Sequence, residues 1–181
     1  THWQIENEPL DPSGPDQLSI SPDFLQQEVD LVKKLDPRPT IITLWGNSFL
    51  KRNFFSTAEN LGDVVALDLY PKQFLFKALG KSFYSGIQYH GQKLHNILHA
   101  STKPVWIMEL QAEPWEKDEQ GYKSESPGSI SPEQLHQNIL NAQKLPVAEI
   151  LLWGFEYWLW KAKQGDSRYL DEVKRWIETA K

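Results

Sequence analysis

Several things are missing from this chain, and each absence narrows what it can do. There is no cysteine among its 181 residues. That removes disulfides, thiolate metal sites and a cysteine nucleophile, but leaves the compartment open, because exported proteins also do without cysteine. No run of eighteen apolar residues occurs, so no transmembrane span and no membrane contact are expected within the chain. No signal peptide is visible. An excess of positive charge is absent too. The formal net charge is -5, and Lys and Arg are scattered rather than arranged in a stripe, so nucleic acid is not an expected partner. No glycine-rich phosphate loop follows any candidate strand, which weakens a nucleotide-binding reading. Methionine is nearly absent: Met108 is the only one and residue 1 is Thr. A chain that starts this way reads as processed, trimmed or part of something longer.

What is abundant is tryptophan, with eight residues. Such rings fill cores, and they also stack on sugars. The chain is long enough for one domain with a proper core.

Strand and helix patterns alternate. "HWQIEN" (2–7) reads as a strand and is followed by a Pro/Gly/Ser-rich loop. Ser21-Pro22 reads as an N-cap with proline in the first turn, and Phe24, Leu25, Val29, Val32 and Leu35 continue at helical spacing until Asp36-Pro37. "TIITLW" (40–45) reads as a buried parallel strand, and "VVALDLY" (64–70), "PVWIMEL" (104–110) and "EILLWGF" (149–155) read as further strands. Residues 47–62 read as a short helix, 72–89 as an aromatic-rich loop, 91–100 as a helix, and 116–131 as a polar loop. Ser131-Pro132 opens a helix with Leu135, Ile139 and Ala142 inward. A last helix carries Tyr169, Leu170, Val173, Trp176, Ile177 and Ala180.

Five strand-helix units in succession predict an α/β fold with a parallel sheet and right-handed crossovers. An open doubly wound sheet and part of an eight-stranded barrel both fit. The long polar and aromatic loops all follow strand C-termini, where a barrel enzyme keeps its site. A full barrel takes about 250 residues, so five units amount to part of one.

Two glutamates stand at those strand ends: Glu8, after Asn7 and before Pro9, and Glu109. Carboxyls from different strands can work as a pair, one protonated to assist a leaving oxygen and one ionised to attack a sugar carbon. Glu113, before Pro114, is a rival to Glu109, but strand alternation puts Val105, Ile107 and Glu109 on one face and Trp106 and Met108 on the other. Glu113 then reads as a loop salt-bridge residue. Alternation also gives Glu6 the face of Glu8, as a buried support. Glu156 and Asp68 read as structural hydrogen-bond partners, and the acidic stretch 116–125 as a solvated face. His95 and His99, at i and i+4 on one helix face, read as a solvated or packing pair, and the five histidines form no metal cluster.

On these residues the chain resembles clan A glycoside hydrolases, the retaining (β/α)8 barrels that include family 5 cellulases and mannanases. "WQIENEP" is similar to that family's fourth-strand motif and "PVWIMELQAEPW" to its seventh-strand segment. "LYP" (69–71) is similar to its sixth-strand end and "LLWGFEYWLW" to its eighth strand. "ELQAEPW" with "WGFEYW" resembles a bacterial group of cellulase-like barrels. The resemblance covers nearly the whole chain. It implies a partial TIM (β/α)8 barrel of five parallel β/α units, family strands 4–8. Residues 1–181 would then form a single incomplete catalytic domain lacking the first three units.

The roles it implies are Glu8 as general acid/base, Glu109 as nucleophile and Asn7 as hydrogen-bond partner of the sugar 2-hydroxyl. Tyr70 would hold the nucleophile and Trp153 would stack under the sugar, with Trp115, Gln111 and Trp45 as further sugar contacts. The activity implied is hydrolysis of β-linked O-glycosidic bonds in an oligosaccharide or polysaccharide by double displacement, with no cofactor and no metal. The missing N-terminal barrel half would be a required partner, the isolated chain is expected to be inactive, and anchoring and compartment signals are expected upstream of Thr1. A degenerate barrel that binds carbohydrate without cleaving it and a metal-dependent hydrolase that uses the glutamates as ligands are the competing readings.

Overall fold

In the computed structural model, which describes residues 1–12, 16–46, 52–86 and 92–179, strands and helices alternate along most of the chain. The strands are β1 (Trp3–Gln4), β2 (Thr40–Trp45), β3 (Val64–Leu69), β4 (Gln73–Ala78), β5 (Lys81–Ser85), β6 (Val105–Gln111) and β7 (Glu149–Trp153). The helices are α1 (Pro22–Leu35), α2 (Arg52–Leu61), α3 (Gln92–Ala100), α4 (Glu119–Tyr122), α5 (Pro132–Ala142), α6 (Phe155–Lys163) and α7 (Arg168–Thr179). Residues 47–51, residue 91 and Ala180, which the sequence assigns to helices, lie outside the described residues.

Two compact units form. The first comprises Thr1–Leu69, His90–Glu109 and Leu145–Leu151; the second comprises Tyr70–Tyr89, Leu110–Lys144 and Leu152–Lys181.

The first unit carries most of a five-stranded parallel sheet in the order β1-β2-β3-β6-β7. Each strand lies next to the one before it in sequence, apart from the β4–β5 hairpin. A doubly wound sheet reverses its strand order at a switch point, and no reversal occurs here. The order is the one a partial α/β barrel requires. Strands β2 and β3 are buried at nearly every position because their β-branched and leucine side chains are covered on both faces. Ile42, Leu44, Val65 and Leu67 have no exposed surface. Each contributes about 2 kcal/mol by leaving water. Ile41, Val64 and Ala66 form a second cluster, and Trp106 and Met108 pack against it, as strand alternation requires of those two residues.

Helix α1 begins where its sequence says it should. The Ser21 hydroxyl accepts from the Phe24 N–H at 3.3 Å, Pro22 occupies the first turn, and the Asp36 N–H bonds the Val32 carbonyl at 2.8 Å. Helix α2 packs on β2 and β3.

In the second unit, α5 starts on the same device, with the Ser131 hydroxyl accepting from the Gln134 N–H at 3.2 Å. Helices α5 and α6 both pack on α7.

Three sequence expectations need correction. The strand read over 2–7 covers only Trp3–Gln4. The Ile5 N–H still bonds the Ile41 carbonyl at 3.0 Å, but Glu6 (φ 59°) and Glu8 (φ 48°) turn the chain out of extended geometry. Strand alternation therefore does not relate Glu6 to Glu8, and Glu6 is exposed rather than a buried support. The segment read as a loop over 72–89 holds the antiparallel hairpin β4–β5, with Phe76 stacked on Phe83 at 4.9 Å and a turn at Leu79 (φ 48°) and Gly80 (φ 75°). Both hairpin faces are largely open, so no period-two burial pattern marks it. Finally, "FEYWLW" after β7 is the helix α6. Gly154 stands at its N-cap and supplies no capping side chain, so the usual start signal is missing.

Candidate active site

The end of β1 is fastened to β2 by two bonds. The Glu8 N–H donates to the Thr43 hydroxyl at 2.8 Å, and the Asp11 carboxylate accepts from the Trp45 N–H at 3.1 Å. Between them the Asp11 N–H bonds the Glu8 carbonyl at 3.0 Å. Thr43 is fully buried on β2, so this is a fixed anchor. A left-handed backbone at a non-glycine residue costs about 1 kcal/mol or more and persists only where surrounding bonds hold it. At Glu8 those bonds are the Thr43 anchor and the Asp11 turn.

This arrangement gathers four carboxyls in the first unit: Glu8 and Asp11 from the turn after β1, Asp68 from β3 and Glu109 from β6. Burial pushes the Glu8 carboxyl up to about 7, the charges of Glu109 and Asp11 add to the rise, and the neighbouring Asp68 carboxyl works the other way. Asp68 is pushed far above the carboxylate range, first by burial, then by the charges of Glu109 and Glu8. It is fully buried, and no donor among the described residues gives a hydrogen bond to either of its oxygens. The sequence reading gives Asp68 a structural hydrogen-bond role, and its carboxyl does lie within hydrogen-bonding reach of the Glu8 carboxyl. Asp11, at 6% exposure, was not singled out by sequence and has no motif that marks it. Asp68 does carry a signal: an acidic residue inside an otherwise apolar, doubly covered strand is uncommon. The charges that act most on Glu8 and Asp68 are those of other carboxyls: Glu109 and Asp11 on both, and Glu8 on Asp68.

Asn7 is exposed, and its side-chain oxygen accepts from the Gln4 amide at 3.1 Å. Trp45 ends β2, half-buried, with its N–H on Asp11. Glu8, Asn7, Trp45 and Glu109 are thus all in the first unit.

The other candidates lie in the second unit. Tyr70 is buried and meets Trp115 edge-on, with ring centroids 4.9 Å apart. Trp115 is 43% exposed and Trp153 is 48% exposed. The Trp153 indole N–H donates to Glu113 Oε1 at 3.0 Å, and the Tyr122 hydroxyl donates to Glu113 Oε2 at 2.8 Å. Glu113 is therefore an anchor for two aromatic rings and not a loop salt-bridge residue. The ends of β6 and β7 pass closely here, with the Ala112 N–H on the Trp153 carbonyl at 2.9 Å. A Cβ on Gly154 (φ 137°) would stand 2.8 Å from Glu113 Cβ and 2.9 Å from the Ala112 carbonyl carbon, so only glycine fits.

Gln111 is fully buried. Its side-chain oxygen accepts from the Lys72 N–H at 3.0 Å, and its NH2 donates to the carbonyls of Lys72 at 2.8 Å and Glu113 at 3.3 Å. Its carboxamide is taken up by backbone. Glu116 is also tied inward: it accepts from the Tyr84 hydroxyl at 2.9 Å and from the Ser129 N–H and hydroxyl at 2.7 Å each. The 116–125 stretch is thus not wholly a solvated face.

His95 and His99 stack at 6.3 Å on α3. Among the described residues no three His, Asp or Glu side chains are arranged to hold a metal ion. No helix among the described residues is long and apolar enough to cross a membrane.

The described residues form an α/β protein with a sequentially ordered parallel sheet and a cluster of carboxyls in its first unit. No protein family profile, no characterised protein and no solved structure matches the chain.

Proposed function

We propose that this chain carries the catalytic carboxyls of a retaining β-glycosidase of the (β/α)8 barrel type. Glu8 is the general acid/base and Glu109 the nucleophile. The observation that supports this reading best is the Glu8–Glu109 relationship: two carboxyls remote in sequence, one in the turn after β1 and one on β6, with the charge of Glu109 raising the proton affinity of Glu8. Burial and that charge together raise the proton affinity of Glu8, as a general acid at neutral pH needs.

The steps follow from those roles. Glu109 attacks the anomeric carbon while the Glu8 proton passes to the departing glycosidic oxygen. Water then attacks the glycosyl-enzyme ester, Glu8 takes its proton, and the Glu109 carboxylate is released. Asn7 meets the sugar 2-hydroxyl with Trp45 of the same unit as a further contact, and in the second unit the half-exposed Trp115 and Trp153 are sugar-stacking rings in their own right. The substrate class is a β-linked oligosaccharide or polysaccharide. Eight strands close such a barrel and the described sheet has five, so hydrolysis is expected of a protein that supplies the others.

The test is hydrolysis of an aryl β-glycoside by that protein, with the product anomer read by NMR. Glu8→Gln and Glu109→Gln are each expected to cost about a thousandfold in kcat/KM, and the first product is expected to retain the β configuration. Unchanged hydrolysis in either variant overturns the reading. Tight binding with oligosaccharide recovered intact from the wild type favours a non-catalytic carbohydrate-binding barrel instead.

A further inference from the structure

Asp68 lies near the C-terminal end of β3, one residue before its close at Leu69. It has no exposed surface, and neither carboxyl oxygen receives a hydrogen bond from a donor among the described residues. The charges that act most on it are those of acids: Glu109 from β6, and Glu8 and Asp11 from the turn after β1. An aspartate ion in this place would have no exposed surface and no donor among the described residues, with negative charges beside it. Such a charge is not held in a folded protein; the group keeps its proton instead.

A buried carboxylic acid has one O–H to give, and it needs an acceptor. Its flanking strand neighbours are apolar, and the carboxyl beside it is Glu8. Glu8 is itself fixed, through its own N–H on Thr43. We propose that Asp68 is held as a neutral acid whose O–H is donated to the Glu8 carboxyl, making Asp68 a positioning residue that sets when Glu8 carries a proton.

The consequence for catalysis rests on the reading of Glu8 as the acid/base. When Glu8 gives its proton to the leaving oxygen, the resulting carboxylate keeps one hydrogen bond, from Asp68. When water attacks in the second step, the proton of that water returns to Glu8. Asp68 holds its own proton through both steps, so no charge is created at the buried position. A protonated Asp in this role does for Glu8 what water would do for an exposed carboxylate, without admitting water.

The experiment is a carboxyl-carbon NMR titration of the 1–181 chain, in the wild type, Asp68→Asn and Asp68→Leu. The Asp68 resonance is expected to stay at its acid position through neutral pH. The Asn variant keeps a donor and is expected to leave the Glu8 midpoint nearly in place. The Leu variant removes the donor and is expected to raise the Glu8 midpoint by about one pH unit. An Asp68 carbon that ionises in the ordinary carboxylate range overturns the proposal, as does a folded Leu variant with an unmoved Glu8 midpoint. If the Leu variant does not fold, the wild-type Asp68 titration decides on its own. None of these readings uses substrate. Hydrolysis that survives Glu8→Gln while Asp68 stays protonated sinks the glycosidase reading and leaves the proton arrangement standing.

Discussion

Glu113 holds Trp153 by its indole N–H at 3.0 Å and spends its other oxygen on the Tyr122 hydroxyl at 2.8 Å. The Trp153 ring is half exposed, yet its edge is fixed. An aromatic plane fixed in this way can take the apolar face of a sugar ring at little entropic cost.

Glu113→Ala removes both acceptors at once. It is expected to lower stability by about 1 kcal/mol, since water reaches part of the vacated site. The Trp153 indole N–H resonance should move and broaden. On the glycosidase reading, KM rises more than kcat falls. An unmoved indole resonance would show that Glu113 does not hold the ring.

Gly154→Ala is expected to be far worse for its size. The new methyl would press on Glu113 and Ala112 within 3 Å, at a φ of 137° that side chains avoid. A loss of about 3 kcal/mol is expected, read as a lower urea midpoint with an unchanged m value.

Thr43→Val keeps the shape of the side chain but leaves the Glu8 N–H without its acceptor. The expected cost is about 1 kcal/mol by urea denaturation. The Glu8 carboxyl midpoint should also shift, because the bond holding its backbone in place is gone. A variant as stable as the wild type would mean that the turn is held without Thr43.

Asp11→Asn retains an oxygen for the Trp45 N–H but deletes one of the charges that disfavour ionisation of Glu8. Removing a nearby negative charge favours the ionised acid, so the Glu8 midpoint is expected to fall. NMR titration of Glu8 in this variant checks the sign directly.

Stability should peak in mildly acidic solution. Glu8 binds its proton more tightly in the folded protein than in the unfolded chain. Its contribution therefore turns unfavourable as pH climbs from about 4.5 towards the folded value of about 7. Asp68 extends that decline to higher pH. Asp166 acts in the opposite sense. Arg168 holds it at about 2, so its contribution is present above the unfolded Asp value of about 3.9 and fades as pH falls through the folded one. Urea midpoints between about pH 3 and pH 8 should trace this dome, and Asp68→Asn should flatten its alkaline side.

The parts legible in the sequence were those with local causes. Ser21-Pro22 and Ser131-Pro132 mark helix starts because the capping bond lies within three residues. The strands at 40–45 and 64–69 are visible because burial on both faces leaves an unbroken apolar run. Glu8 and Glu109 were singled out as strand-end residues, while the structure has Glu8 in the turn four residues past β1 and Glu109 two residues before the end of β6. The β4–β5 hairpin escaped because neither face buries enough to impose alternation, and α6 because a glycine opens it. The anchoring roles of Asp11 and Glu113 depend on partners at Trp45 and Trp153, fixed by tertiary structure that no local pattern encodes.

The strand order β1-β2-β3-β6-β7 also bears on how the protein is made. Every sheet strand after the first finds its partner already synthesised. The described sheet can therefore grow from one edge while the ribosome is still working, each new strand adding to the one made just before it. Translation proceeds at about 5–20 residues per second, slow compared with the pairing of neighbouring elements. The segment that arrives with Glu109 thus docks onto a sheet in which Asp68 is already in place. The carboxyl cluster is completed late, and its electrostatic cost falls on a sheet that other contacts already hold together.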